Sequence, residues 1–113
     1  MAKFTCRLNA DFNNVLQAID NGILNGSISA SYEDGSNVQL NGVSCAVRVY
    51  ERYSLIGSNR VSLNVTLIGM GAELYLTAIT SGGSQATFFK LNTIGEGKFL
   101  ECLTDIIRPF NPQ

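Results

Sequence analysis

Histidine and tryptophan are absent from this 113-residue chain, and only 15% of its residues are charged. Without histidine, the chain lacks the side chain that most often acts as a general base near neutral pH, and every Ser–His or Cys–His nucleophile pairing is excluded. Imidazole is also the commonest metal ligand. We therefore predict a non-enzymatic protein with no catalytic residues, no metal site and no cofactor.

Long apolar runs and a strong charge of either sign are also lacking. No stretch approaches the ~18 apolar residues of a membrane-spanning helix, and the start of the chain lacks the apolar core of a secretory signal. With 8 Lys+Arg against 9 Asp+Glu, the net charge of −1 gives no long-range attraction to nucleic acid or anionic lipid. We expect a cytoplasmic protein with no nucleic-acid and no membrane partner.

The chain has 3 cysteines, Cys6, Cys45 and Cys102, at wide spacing. An odd number cannot be paired completely within one chain, and thiols stay reduced in the cytosol. We predict that all of them are small buried hydrophobic residues. Cys6 and Cys45 are then on inward strand faces, and Cys102 is in the apolar stripe of a helix.

The first third of the chain reads as a strand followed by a helix. Residues 3–8 alternate between polar and apolar side chains, which is typical of a half-buried strand. Asp11 can cap the helix that follows, and either Gly22 or the Asn25-Gly26 pair is suited to its end. The apolar stripe of this helix comprises Phe12, Val15, Leu16, Ile19 and Ile23.

The middle of the chain predicts four or five antiparallel strands. Asp34-Gly35 and Asn41-Gly42 are tight-turn dipeptides, and the pattern leaves open whether residues 34–42 form a loop or a short edge strand. A last strand is predicted at residues 86–91. In the longest strand, residues 43–54, we assign one set of side chains to the core, namely Val43, Cys45, Val47 and Val49.

A second helix is predicted near the end of the chain. Thr93 and Glu96 have the spacing of a capping box, and Pro109 stops the helix because it lacks an amide hydrogen. The apolar stripe comprises Phe99, Cys102, Leu103, Ile106 and Ile107. The order strand, helix, four or five strands, helix predicts a single α+β domain over residues 1–113. We expect a two-layer sandwich, with a five- or six-stranded antiparallel sheet and both helices on one face.

This order of elements resembles the TATA-binding-protein-like (TBP-like) and helix-grip folds, in which helices cover one face of an antiparallel sheet. The segments CAVRVYERY (45–53) and TSGGSQA (80–86) are in addition similar to a small uncharacterised bacterial family. That family has no assigned activity. The resemblance therefore implies a fold but no function.

The sheet face turned away from the helices is predicted to be lightly charged, with tyrosine and arginine side chains that favour interface cores. Three interpretations compete: a neutral solvated surface, a self-association surface, and a shallow site where Arg48 and Arg52 hold an anionic or sugar-like small-molecule ligand. On this open face, the candidate binding residues are Arg7, Arg48, Tyr50, Arg52, Asn64 and Tyr75.

Our interpretation is a symmetric homodimer that associates through this open face or through an edge strand. The alternative is a small-molecule carrier of the helix-grip type, with its ligand between the sheet and the last helix near Phe88, Phe99 and Leu103. An enzyme would need Glu51 to converge with Arg48 and Arg52, whereas the alternation puts Glu51 on the opposite face.

Overall fold

The computed structural model describes residues 1–27, 29–53, 60–82 and 89–113, with side chains of the last helix described from residue 95 onward. The elements are β1 (Ala2–Asn9), α1 (Phe12–Gly26), β2 (Ser31–Leu40), β3 (Val43–Tyr53), β4 (Arg60–Met70), β5 (Glu73–Gly82) and α2 (Phe89–Ile107), followed by a 3₁₀ turn (Arg108–Phe110). The predicted α+β class is confirmed.

The five strands form one antiparallel sheet in the order β1-β5-β4-β3-β2. The β2–β3 hairpin turns at Asn41 and Gly42, which have φ of 52° and 81°; two positive values are what a two-residue type I′ turn requires. β2 forms one edge of the sheet and spans residues 31–40. Most of residues 34–42, for which the sequence allows a loop or a short edge strand, therefore belongs to an edge strand. A bulge interrupts its pairing with β3 between Tyr32 and Asp34.

Both helices pack on the same face of the sheet, α1 against β3 and β4, and α2 against β1, β4 and β5. Asp11 caps α1 as predicted, accepting a hydrogen bond of 3.0 Å from the amide of Asn14. Gly22 lies within α1 and does not end it. The helices meet closely there, because a Cβ on Gly22 would lie 2.5 Å from Cδ1 of Ile106.

A single apolar core fills the space between the helices and the sheet. Its fully buried side chains include Val15, Ile19 and Ile23 of α1, together with Phe99 and Leu103 of α2. The sheet contributes inward residues of four strands, among them Cys6, Leu8, Tyr50, Val61, Leu63, Val65, Leu67, Leu74, Leu76 and Ala78.

The predicted orientation of β3 is wrong. Ala46, Arg48 and Tyr50 are buried beneath the helices, and the side chains assigned to the core, Val43, Cys45, Val47 and Val49, are on the open face. Alternation tells which residues share a face but not which face is covered. Hydrophobicity favours the apolar set for the inward face, but the structure instead buries an arginine and a tyrosine that have a partner on α1.

The predicted start of α2 is also wrong. The helix already includes Phe89, so Thr93 lies within it and does not cap it, and residues 89–91 are helical instead of forming a last strand. Residues 86–88, including Phe88 of the carrier hypothesis, lie outside the described part of the chain. In the part that is described, neither helix has the length and apolarity to cross a membrane.

Candidate interaction surface on the open sheet face

The strand register arranges the open face in rows that run across all five strands. We count the rows from the end of the sheet that holds the turns at residues 41–42 and 71–72. The first row is Asn9, Glu73, Met70, Val43 and Leu40, and the second is Arg7, Tyr75, Ile68, Cys45 and Val38. The third row is Thr5, Thr77, Thr66, Val47 and Ser36, and the fourth is Lys3, Ile79, Asn64, Val49 and Asp34.

The first two rows are mostly apolar and exposed to solvent. We call their apolar members the turn-end patch: Val38, Leu40, Val43, Cys45, Ile68, Met70 and Tyr75. Leu40 is 68% exposed, Met70 60% and Val38 53%. Because hydrophobic residues of a monomer are usually exposed singly, a contiguous cluster of this kind is a candidate interaction site.

A groove of about 440 Å³ runs beside the turn-end patch, toward β1. Its walls include Met70 and Tyr75 on the apolar side, with Arg7, Glu73 and Gln113 on the polar side. Gln113 is held there by two backbone hydrogen bonds of 2.9 Å to Arg7. The groove therefore has an apolar wall on one side and, on the other, a rim with charges of both signs, from Arg7 and Glu73.

The third row separates the apolar end from the charged end. Thr5, Thr66, Thr77 and Ser36 place hydroxyl groups across four strands, with Val47 between them. Aligned threonines favour a strand surface and carry no charge. The centre of the face can therefore be dehydrated without burying an ionised group.

The open face carries charges of both signs, with Glu73 on β5 beside the basic residues of β1 and Arg60 on β4 beside the acidic residues near the opposite edge. Lys3 and Arg7 are on β1 at one edge of the sheet. Asp34 is on β2 and Glu51 on β3, near the other edge. Arg60 on β4 lies 2.7 Å from the Glu51 carboxylate and 3.6 Å from that of Glu33.

Arg7, Asn64 and Tyr75 lie on the open face, as predicted. Arg48 and Tyr50 do not, and their predicted orientation is wrong. The Nε of Arg48 donates to Asp20 of α1 at 3.2 Å and its Nη1 donates to Asn37 at 2.8 Å. The hydroxyl of Tyr50 also donates to Asp20. Burial, together with this carboxylate, raises the pKa of Tyr50 well above its usual value.

Arg52 is the third candidate that faces the helices instead of the open side. Its guanidinium lies 4.6 Å from the centre of the Phe99 ring, in a cation–π contact. Burial lowers its pKa below the usual value. Glu51 is correspondingly on the open face, so it remains on the opposite side of β3 from Arg48 and Arg52. The described residues hold no group of three side chains suited to a metal ion.

Sequence reasoning missed the turn-end patch, although a signal for it was present. Both sets of alternate residues in β3 and β4 contain apolar side chains, for example Ile68 and Met70 opposite Leu67. A strand that is apolar on both faces is typical of a sheet covered on both sides. Assigning one face to the core and assuming that the other is polar overlooked this pattern.

The structure therefore defines a class: an α+β domain with helices on one face of an antiparallel sheet and, on the other, a partly apolar face that none of the described elements covers. A protein-family model matches residues 1–111, and the chain belongs to that family, DUF6054, a family of unknown function. The expected membership of an uncharacterised family is confirmed. No curated protein matches the chain significantly.

Proposed function

We propose that this protein is a non-enzymatic interaction domain that forms a homodimer by packing its open sheet face against a second copy. The observation that supports this most strongly is the turn-end patch. Five of its side chains, namely Val38, Leu40, Ile68, Met70 and Tyr75, are between 43% and 68% exposed in the isolated chain. Covering them removes apolar surface from water, which is the main favourable contribution to association.

The open face is large enough for a specific dimer. Strands of 10 or 11 residues with a rise of ~3.3 Å per residue, set ~4.8 Å apart in a five-stranded sheet, give a footprint on the order of 700 Å². A standard stable interface buries about 800 Å² on each partner. A copy of the same face is therefore a sufficient partner.

The polarity of the face also suits a second copy better than a charged ligand. Arg48 and Arg52, which would have held an anion, are on the other side of the sheet, and Arg48 is already paired with Asp20. The open face retains Lys3 and Arg7, which carry the sign opposite to that of Asp34 on the far edge. A surface with both signs can complement itself in a dimer.

The carrier alternative receives less support. Phe99 and Leu103, which were expected near the ligand, are fully buried among core side chains. A cytoplasmic location remains part of our proposal, in line with Cys6, Cys45 and Cys102 being free thiols.

The proposal is tested by placing a charge in the centre of the face. Ile68→Glu puts a carboxylate in the turn-end patch, and Leu24→Glu makes the same change at a leucine of α1 that is 39% exposed. We expect wild type and Leu24→Glu to have twice the chain mass of 12.2 kDa by light scattering, and Ile68→Glu to have the monomer mass. Circular dichroism checks that both variants fold. A wild-type monomer at every concentration, or a dimeric, folded Ile68→Glu variant, would overturn the proposal.

A further inference from the structure

We infer that the two copies pack with their two-fold axis parallel to β4, so that each row of the open face lies over the same row of the partner. This inference rests on the proposed homodimer and specifies its geometry. A two-fold axis between facing sheets can run along the strands or across them. The two choices bring different residues together, and the distribution of apolar and charged side chains distinguishes between them.

An axis along β4 preserves the rows and reverses the strand order. β4 then lies over the partner's β4, β5 over the partner's β3, and β1 over the partner's β2. The apolar first and second rows face the same two rows of the other copy, and the threonine row faces itself. At the centre of these rows Met70 and Ile68 lie over their own equivalents, so apolar side chains cover each other there, while Glu73 lies over the partner's Val43 and Arg7 over the partner's Val38.

The same axis matches the charges. Lys3 is on β1 in the fourth row, and Asp34 is on β2 in that row, so Lys3 lies over the partner's Asp34. Because of the symmetry, the contact forms twice. Facing sheets are rotated by about 30°, which offsets edge strands by one or two residues, and the long flexible side chain of Lys3 can span that offset.

The groove beside β1 also receives an occupant in this arrangement. The partner's β2 crosses it at the first and second rows, where the partner's Leu40 and Val38 project. Leu40 is the most exposed member of the turn-end patch, at 68%. In this register the partner's Leu40 lies over Asn9 and the partner's Val38 over Arg7, and both of these residues line the groove.

An axis across the strands that passes between the second and third rows is less favourable for both the polarity and the charges. It places β1 over the partner's β1, which brings Lys3 and Arg7 of both copies together. It also lays the apolar rows over the third and fourth rows, which are more polar. Like charges and mismatched polarity both oppose association.

Engineered cysteines distinguish the two axes. Thr5 on β1 and Ser36 on β2 are both exposed residues of the third row. They lie four strand spacings apart in one chain, about 19 Å, but face each other between copies only if the axis runs along β4. An axis across the strands instead brings Thr5 over the partner's β1, near its own equivalent.

The experiment uses the full chain with Cys45→Ser and Cys102→Ser as background, after light scattering has verified that its mass equals that of wild type. Thr5→Cys carries a tag that changes its mass and is co-expressed with Ser36→Cys. The mixture is treated with a thiol crosslinker whose length matches the ~10 Å spacing of packed sheets. We expect a crosslinked product of one tagged and one untagged chain. Neither variant expressed alone should form a crosslinked dimer.

Each other outcome is decisive. Self-crosslinking of Thr5→Cys indicates the axis across the strands and overturns the inference. A dimer that no combination crosslinks overturns the geometry but leaves the proposed homodimer standing. A wild-type chain of monomer mass overturns the proposed function, and the inference with it.

Discussion

Arg48 of β3 and Asp20 of α1 form an ion pair beneath the first helix, with 3.2 Å between Nε and Oδ1. The side chain of Arg48 is 8% exposed and that of Asp20 is 30% exposed. Asn37 on the edge strand β2 accepts a second hydrogen bond from the same guanidinium. One arginine thereby connects a helix, a central strand and an edge strand.

Removing the carboxylate of this pair is expected to destabilise the fold. Asp20→Ala leaves a buried guanidinium without its anion and takes a hydrogen-bond acceptor from Tyr50, so we expect a loss of about 2 kcal/mol. The matched control is Asp105→Ala, which breaks an exposed pair with Arg108 and should cost about 0.5 kcal/mol or less. Urea unfolding measures both. Equal losses in the two variants would contradict the structural role of Asp20.

Two glycines within helices should respond to alanine with opposite signs. Gly22→Ala forces the new Cβ against Ile106, at 2.5 Å from its Cδ1, and we expect a loss of about 1–3 kcal/mol from overpacking. Gly97→Ala has no neighbour within 4 Å and should stabilise the protein by up to about 1 kcal/mol through helix propensity. Thermal unfolding gives the sign of each change. A stabilised Gly22→Ala variant would show that the helices are not closely packed at this point.

Stability should fall at alkaline pH. Burial raises the pKa of Cys6 above its ordinary 9.0, and burial together with Asp20 raises that of Tyr50 above its ordinary 10.0. The folded state holds both protons more tightly than the unfolded state. The free energy of unfolding that the protonated Cys6 and Tyr50 contribute is therefore fully present below pH 9 and is lost as the pH rises above the ordinary pKa values of 9.0 and 10.0. Urea midpoints between pH 7 and pH 11 measure the loss.

Tyr50→Phe isolates the tyrosine contribution to that loss. The variant lacks the titrating hydroxyl, so we expect its midpoint to fall less steeply above the ordinary pKa of 10.0 than that of wild type. Parallel curves for wild type and Tyr50→Phe would contradict the assignment.

The charge pairing proposed between copies predicts a rescue. Lys3→Glu places a carboxylate over the partner's Asp34 and should raise the dimer dissociation constant several-fold. Adding Asp34→Lys to the same chain restores opposite charges across the interface. We expect the double variant to regain most of the wild-type affinity in sedimentation equilibrium. A double variant weaker than both single variants would rule out the contact.

Much of the fold could be predicted from the pattern of residues. The apolar stripe of α1, its Asp11 cap and the Asn41-Gly42 turn are local features with strong geometric preferences, and all of them appear as expected. Which face of β3 is buried could not be predicted this way. It depends on Asp20, which is 28 residues distant from Arg48 along the chain, and no local pattern shows that the two meet.

The candidate site was predicted only in part, for the same physical reason. The pattern predicts the correct face for Tyr75 and Asn64, because the inner sides of their strands carry mainly leucine, valine and alanine. In β3, one set of alternate residues consists mainly of valines and the other contains arginine and tyrosine, so either set could face the core. Hydrophobicity alone favours burial of the valines. In the structure the paired arginine is buried instead, and the valines lie on the open face.

The bulge between Tyr32 and Asp34 bears on how far such an assembly can grow. β2 carries the unpaired backbone groups of the sheet at its outer side, and a bulge twists such an edge away from straight strand addition. At the opposite edge, the backbone N–H and C=O groups of Arg7 already form hydrogen bonds with the backbone of Gln113. Lateral extension into a fibre is discouraged at both margins, which favours a closed pair over an open-ended polymer.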